Sequence, residues 1–454
     1  MAEPCQNLSE DNMNSNLKTK ISTKTAKISV IGAGYVGLPL AIAFASNGFS
    51  VNIVDNDNNK VRKINSGESY IGDITSESLR QLSPKESKSG TLTATTHYSS
   101  LVDSDCVIIC VPTPVSKTKD PDMSFIISSA QSISQYIHDD MIIILESTTY
   151  PGTTEELIVP LMENVGHGDF VVGKNIHVAF SPERIDPNNE IWTVTDTPKV
   201  IGGITYECSE IAKLLYESAI NTVIPVSSTR VAEMVKLLEN TYRATNIGLV
   251  NEIAIMCDRL DIDVWEVINA AATKPFGFTP FYPGPGLGGH CIPVDPQFLA
   301  WKLKTLNYNA RFIQLATEIN TSMPNYVVEK VQKILNRKKM PLNGSNILIL
   351  GIAYKPDVPD FRESPSLDII DILTEQGANI SYNDPLIEQI SYEHFNMTSI
   401  PLNEKTLSQF DCAVIATDHS DYDWEFIVQH SDSILDTRNA TRNLRTRIDK
   451  VEKL

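Results

Sequence analysis

The sequence predicts an α/β chain of two Rossmann-like, doubly wound domains joined by a helical middle domain with a long central helix. Three observations predict it. From Lys27 onward, short apolar runs alternate with amphipathic stretches, the pattern of strands covered by helices. Residues 230–260 contain no proline and place Val231, Met234, Val235, Leu238 and Tyr242 at helical spacing. After the polar turn PLNGSN, a second set of strand-like runs begins.

Taken in order, KISVIGAG is a buried strand entering a glycine turn, residues 35–47 are the helix after it, and SVNIVD is the second strand. DCVIICVPTP, MIIILESTT and NIHVAFSPER each end an apolar strand in polar residues. In a doubly wound sheet the ligand crevice lies at the strands' carboxyl ends, where Thr113, Thr148 and Glu183 fall. NILILGIAY, ANISYNDP, DCAVIATDH and SILDTRN are the strands of the second set. The expected divisions are a disordered polar tail (1–26), a first nucleotide-fold domain (27–220), a helical middle (221–325) and a second nucleotide-fold domain (326–454).

The 454 residues carry a net charge of −18, which argues against a nucleic-acid-binding face, since phosphate neutralisation needs clustered Lys and Arg. No apolar run reaches the length of a membrane span. The polar start lacks the apolar core of a signal peptide, and the seven cysteines show no CxxC pair. Together these features point to a reducing, cytoplasmic compartment and to no metal site.

Gly32-Ala33-Gly34-Tyr35-Val36-Gly37 is GxGxxG between a strand and a helix. Gly32 permits the tight turn, Gly34 lets backbone approach a pyrophosphate, and Gly37 lets helix pack on strand. Asp55 ends the next strand, where a carboxylate can bond the adenosine ribose and repel a 2′-phosphate. NAD is therefore favoured over NADP. The second dense glycine segment, GPGLGGHCIPVDP, places Cys291 beside His290 and four residues before Asp295. A cysteine in such a loop is either a small buried residue or a nucleophile.

STTYPGTT, SPERIDP, KLLENTYRATNIGLVNE, GPGLGGHCIPVDP and AYKPDVPDFRESPS follow one another along the chain. Together they resemble the nucleotide-sugar 6-dehydrogenases, relatives of UDP-glucose dehydrogenase. The resemblance implies oxidation of a sugar C6 alcohol to a carboxylate in two hydride transfers, with Cys291 holding the thiohemiacetal and then the thioester. It assigns Lys236 and Asn240 to the reacting oxygen, Glu183 and Asp295 to the hydrolytic water, and Thr148 to positioning water and nicotinamide. Lys60 and Thr113 fall at cofactor-contacting positions, beside Tyr35 and Val36 of the turn. Arg184, Ile185, Arg243, Gly288, His290, Lys355 and Arg362 fall at substrate positions, together with Lys236 and Asn240; Arg438 is a weaker candidate. The implied partner is a UDP-sugar, and the long helix suggests a homodimer. His290 and Val294 depart from the glucose-oxidising pattern. The stretch KPFGFTPFYP resembles the type acting on UDP-N-acetylglucosamine, ahead of the mannosamine, galactosamine and glucose derivatives.

Overall fold

The computed structural model describes residues 16–454 apart from Asp73, 117–119, 165–167, Pro187, Asn188, Glu190, Glu393 and 446–447. The chain forms two compact units, one ending at Lys236 and one beginning at Leu237.

The first unit is built on one sheet in the order β3-β2-β1-β4-β5-β6-β7-β8. Its strands are β1 (Lys27–Ile31), β2 (Ser50–Val54), β3 (Thr91–Thr95), β4 (Cys106–Ile109), β5 (Met141–Leu145), β6 (Ile176–Phe180), β7 (Lys199–Gly203) and β8 (Val223–Pro225). β1 to β6 pair in parallel, and β7 runs antiparallel to β6. The central strands β4, β5 and β6 are buried at every position, and CVII, MIIIL and IHVAF are accordingly apolar almost throughout, His177 apart, rather than alternating. At the edge, β3 alternates (Leu92 and Ala94 buried), as a strand with one wetter face should. Leu38, Phe44, Val30 and Tyr216 fill the core on one face of the sheet. Ile31, Val107, Ile133 and Phe180 fill the other.

One expectation fails at the start of the chain. Asn16–Ser22, assigned to a disordered tail, is a helix with Leu17 and Ile21 both 1% exposed. It packs on the helix Tyr206–Glu217, and Lys18 pairs with Glu207 at 2.7 Å. Lys20 pairs with Asp105 at 2.6 Å, and the Leu17 N–H donates to Asp140 at 2.7 Å. Residues 1–15 lie outside the described residues.

The second unit holds a five-stranded parallel sheet, β10-β9-β13-β14-β15, and a hairpin of β11 and β12. The strands are β9 (Asn346–Leu350), β10 (Asn379–Asn383), β11 (Gln389–Tyr392), β12 (Phe395–Thr398), β13 (Cys412–Ile415), β14 (Ile434–Asp436) and β15 (Val451–Lys453). Two long helices, Thr229–Arg259 and Arg311–Arg337, supply the helical middle, and the expected division at 325 falls inside the second of them. Gly248 lets them approach: a Cβ there would stand 3.1 Å from Ala316 Cα. Asn251 donates to Asn320 at 2.8 Å and accepts the Gly284 N–H at 2.9 Å, tying the second glycine loop to both helices. Among the described residues no helix is long and apolar enough to cross a membrane.

Candidate active-site residues

In the first unit the glycine turn leaves β1 with Gly32 at φ +103°, its N–H donating to Val54 O at 2.8 Å. A Cβ on Gly37 would lie 2.0 Å from the Gly32 carbonyl oxygen, so the helix Gly37–Ser46 needs glycine there to start so close to the turn. At Gly34 a Cβ would meet nothing within 4 Å. The turn is thus crowded where it packs and open at its tip. The helix begins at Val36 without a side-chain cap, an arrangement open to an anion. A dinucleotide pyrophosphate fits this cradle.

Asp55 does more locally than ribose recognition requires. One carboxylate oxygen accepts the Ala33 N–H at 2.7 Å and the other accepts the Asp57 N–H at 2.8 Å. Lys60 stands 3.7 Å from it. The hydroxyl of Tyr70, which sequence reasoning missed, donates to Ala33 O at 2.7 Å, so both ends of that residue are held. Burial, reinforced by Asp55 and Asp57, pushes the Tyr70 phenol well above its usual range and keeps it a donor. Tyr35 is exposed and Val36 half-buried; Thr113 and Thr148 are half-buried beyond β4 and β5. Beside Thr148, the Thr149 hydroxyl is buried and has no hydrogen-bond partner among the described residues.

Glu183 and Lys236 meet in this unit. The Lys236 ammonium donates to the Glu183 carboxylate and to its backbone carbonyl, both at 2.8 Å, with the two side chains 7% and 10% exposed. The other Glu183 oxygen accepts the Ile185 N–H. Arg184 is turned to the carbonyl of Pro198 at 2.8 Å.

In the second unit Cys291 is exposed, while the other five described cysteines (Cys106, Cys110, Cys208, Cys257 and Cys412) are buried. Its carbonyl accepts the N–H groups of Val294 (3.1 Å) and Asp295 (2.8 Å), so the loop runs straight into the helix Asp295–Lys304. Asp295 is 3% exposed and accepts a hydrogen bond from the Asn240 amide. Asn240 therefore holds Asp295, a pairing its helical spacing from Lys236 did not reveal.

His290 turns from the cysteine to Asp360, Nε2 to carboxylate 3.0 Å, and packs edge-on to Tyr354. Arg362 grips the same carboxylate at 3.0 and 2.7 Å. Burial alone would raise the Asp360 carboxyl, but hydrogen bonds from His290 and Arg362 outweigh it and hold the group far below the usual range. Gly288 and Gly289 lie against Tyr354, where a Cβ on either would come within 2.9 Å. Lys355 is half-buried and Arg243 exposed. Arg438 donates to Ala416 O at 2.8 Å and lies against Gly284. Among the described residues no group of three or more His, Cys, Asp or Glu side chains gathers to hold a metal.

Models of three domains match the chain in order: the NAD binding domain (residues 26–220), the central domain (230–322) and the UDP binding domain (348–443) of one family. The chain belongs to the UDP-glucose/GDP-mannose dehydrogenase family. It is 37% identical over 397 residues to a UDP-N-acetyl-D-mannosamine dehydrogenase of Methanococcus maripaludis, covering 87% of this chain and 86% of that one. It is 34% identical to the UDP-N-acetyl-D-glucosamine 6-dehydrogenase of Salmonella typhi, covering 87% and 90%. The solved UDP-D-ManNAc dehydrogenase of Pyrococcus horikoshii superposes with a TM-score of 0.84 at 31% identity, over 94% of this chain and 98% of that one. The protein is thus an NAD-dependent nucleotide-sugar dehydrogenase with two Rossmann-like domains and a helical middle.

Proposed function

We propose that this dehydrogenase oxidises the C6 alcohol of UDP-N-acetylglucosamine to the uronate in two steps, supplying a precursor of a surface polysaccharide. The observation that carries the reading is Cys291, the exposed thiol in a glycine loop that runs into Asp295. In this reading residues 27–220 hold NAD, 221–325 form the helical middle, and 326–454 hold the UDP-sugar. Bound NAD, resting on Gly32, Gly34, Gly37, Asp55 and Lys60, supplies the acceptor for the hydrides leaving C6.

The ammonium of Lys236 faces the negative charge that develops on the C6 oxygen, with Asn240 assisting. An aldehyde carbon is trigonal and cannot give up its hydrogen as hydride without becoming an acylium cation. The Cys291 thiolate adds to that carbon to give a tetrahedral thiohemiacetal, whose C–H hydrogen can leave as hydride while its hydroxyl loses a proton and the thioester C=O forms. Water then bonds to the thioester carbon, its proton passes to Glu183, the C–S bond breaks and the thiolate is regenerated. Asp295, fixed by Asn240, orients that water. Thr148 positions the water and the nicotinamide, and the unpartnered hydroxyl of Thr149 is an additional holder. His290, Gly288, Arg184, Ile185, Arg243, Lys355 and Arg362 contact the substrate.

The sugar is assigned from KPFGFTPFYP, which supports the glucosamine derivative. The mannosamine derivative is the second reading, because relatives with that name match equally well. We also infer a homodimer, from the exposed Leu238, Tyr242, Leu249 and Met256 on the long helix.

One experiment tests all of this. Light scattering is expected to give the mass of two chains, and the protein is then given NAD and single UDP-sugars. Two NADH per uronate are expected, with kcat/KM for the glucosamine derivative about tenfold or more above the others. Cys291→Ser is expected to abolish uronate formation. One NADH per sugar, or full activity of the variant, sinks the mechanism; a preference for the mannosamine derivative replaces the sugar.

A further inference from the structure

Beneath the loop that carries Glu183 lies a buried ionic cluster that the oxidation itself does not call on. Glu146 follows β5 at 1% exposure, and Lys199 opens β7 at 8%. The Lys199 ammonium donates to one Glu146 oxygen at 2.7 Å, and the Tyr216 hydroxyl donates to the other. A lysine and a glutamate this deep lose much hydration, and an apolar pair of equal volume often serves stability as well. The cluster therefore calls for a local task.

The backbone around it shows one. Lys199 lies between the two carbonyls that anchor the Glu183 loop. Pro198 O accepts from Arg184 at 2.8 Å, and Val200 O accepts from the Ser181 hydroxyl at 2.9 Å. On the opposite side, the Ser181 N–H donates to Leu145 O, next to Glu146, at 3.0 Å. The Lys199–Glu146 bond thus closes a frame whose corners hold residues 181 and 184, and Glu183 lies between them. Glu146, Lys199, Arg184 and Ile185 line one crevice.

We propose that Glu146, Lys199 and Tyr216 are positioning residues for thioester hydrolysis, fixing the loop so that the Glu183 carboxylate meets the attacking water. The proposal rests on the reading of Glu183 as the group that takes the water's proton. A displacement of about 1 Å in such a group can slow a step by about 100-fold.

The test uses the full chain with Glu146→Gln/Lys199→Met, which removes both charges together, and with Tyr216→Phe and Lys199→Arg. In the double variant, the two NADH of the first turnover should appear at the wild-type rate and KM for the UDP-sugar should hold, both within about twofold. Steady-state turnover should fall about 10- to 100-fold, with the uronyl adduct on Cys291 accumulating in intact mass spectra. Lys199→Arg should restore most of the turnover, because guanidinium keeps the pair. Should the double variant not fold, Tyr216→Phe carries the same test with a smaller effect. A folded variant with wild-type turnover overturns the proposal, as does one slowed equally at every step without adduct. Glu183→Gln separates the two ideas. Adduct there but not in the double variant removes only the frame; no adduct in Glu183→Gln removes the role of Glu183 itself.

Discussion

At the corner where β1 ends beside β2, Gly32 turns the chain and Asp55 accepts one turn N–H, that of Ala33. The corner where β9 ends beside β10 repeats the arrangement: Gly351 has φ +81°, and Asp384 accepts the N–H groups of Ile352 at 2.8 Å and Ala353 at 3.1 Å. The two are finished differently. Beyond Ala33 the chain offers Gly34, with open space where its Cβ would be. Beyond Gly351 come Ile352 and Ala353, both buried. His419 at 1% exposure closes the second corner, its Nε2 3.1 Å from Asp384 and its Nδ1 accepting the Asp357 N–H at 3.0 Å. That acceptance puts the proton on Nε2, so the ring donates to the carboxylate. The same turn chemistry thus makes a receptacle in one fold and a sealed brace in the other.

Three measurements test this contrast. The largest effect is expected from Asp384→Ala, which strips the acceptor from His419 and from the N–H groups of Ile352, Ala353, Leu386 and Ile387. Chemical denaturation should show a loss of about 3 kcal/mol or more, since several buried donors are left unsatisfied at about 1–3 kcal/mol each, while NAD titration of the folded protein is unchanged. A large loss of NAD affinity would refute the sealed-brace account.

Next comes a pH contrast between two buried carboxylates that accept backbone N–H groups. In the first unit Glu233 accepts those of Gly152 (2.6 Å) and Thr154 (2.9 Å), with no cation bonded to it among the described residues. Burial outweighs those bonds and raises its carboxyl from 4.5 to about 7. The folded state then binds the proton more tightly than the unfolded chain. Stability from this group is full below about pH 4.5 and declines as the pH rises to about 7, by up to about 3 kcal/mol. Asp384 moves the other way: burial opposes ionisation, but His419 overcomes it and lowers the carboxyl. Its contribution is present above the ordinary carboxylate range and is lost as the pH falls below that range toward the lowered folded value. Denaturation curves from pH 4 to 8 should show a declining component that Glu233→Gln flattens. An unchanged slope in that variant would exclude Glu233 as the source.

The smallest effect separates binding from folding at the first corner. Gly34→Ala meets no protein atom, so the melting temperature should hold, while NAD affinity falls about tenfold, or about 1.4 kcal/mol. A variant that melts early but binds normally would contradict the reading of that space.

What the sequence made legible was local. The glycine turn, the strand before it and Asp55 are fixed by neighbours in sequence, so their chemistry could be read directly. The long helix was legible because its apolar residues recur over many turns. Motif resemblance selected Glu183, Lys236, Asn240 and Asp295, but not their partners. Glu183 with Lys236, and Asn240 with Asp295, are bonds across more than fifty positions of chain. The resemblance places His290 and Arg362 at substrate positions, yet both meet at Asp360, which lies inside a quoted motif without a role. Tyr70 carried no signal at all, since a tyrosine in a polar loop resembles any other. The helix at 16–22 escaped because two turns with apolar residues only at Leu17 and Ile21 are too short for periodicity to register.

That short helix bears on where this protein can be cut. The family's NAD binding domain is matched from residue 26, which invites a chain beginning there. Such a chain would lose Leu17 and Ile21 from their seat, about 3–6 kcal/mol of burial at about 1.5–3 for each side chain. It would also strip Lys20 from Asp105 and Lys18 from Glu207, baring a greasy furrow rimmed with acid. The described fold reaches about ten residues upstream of the family's matched start.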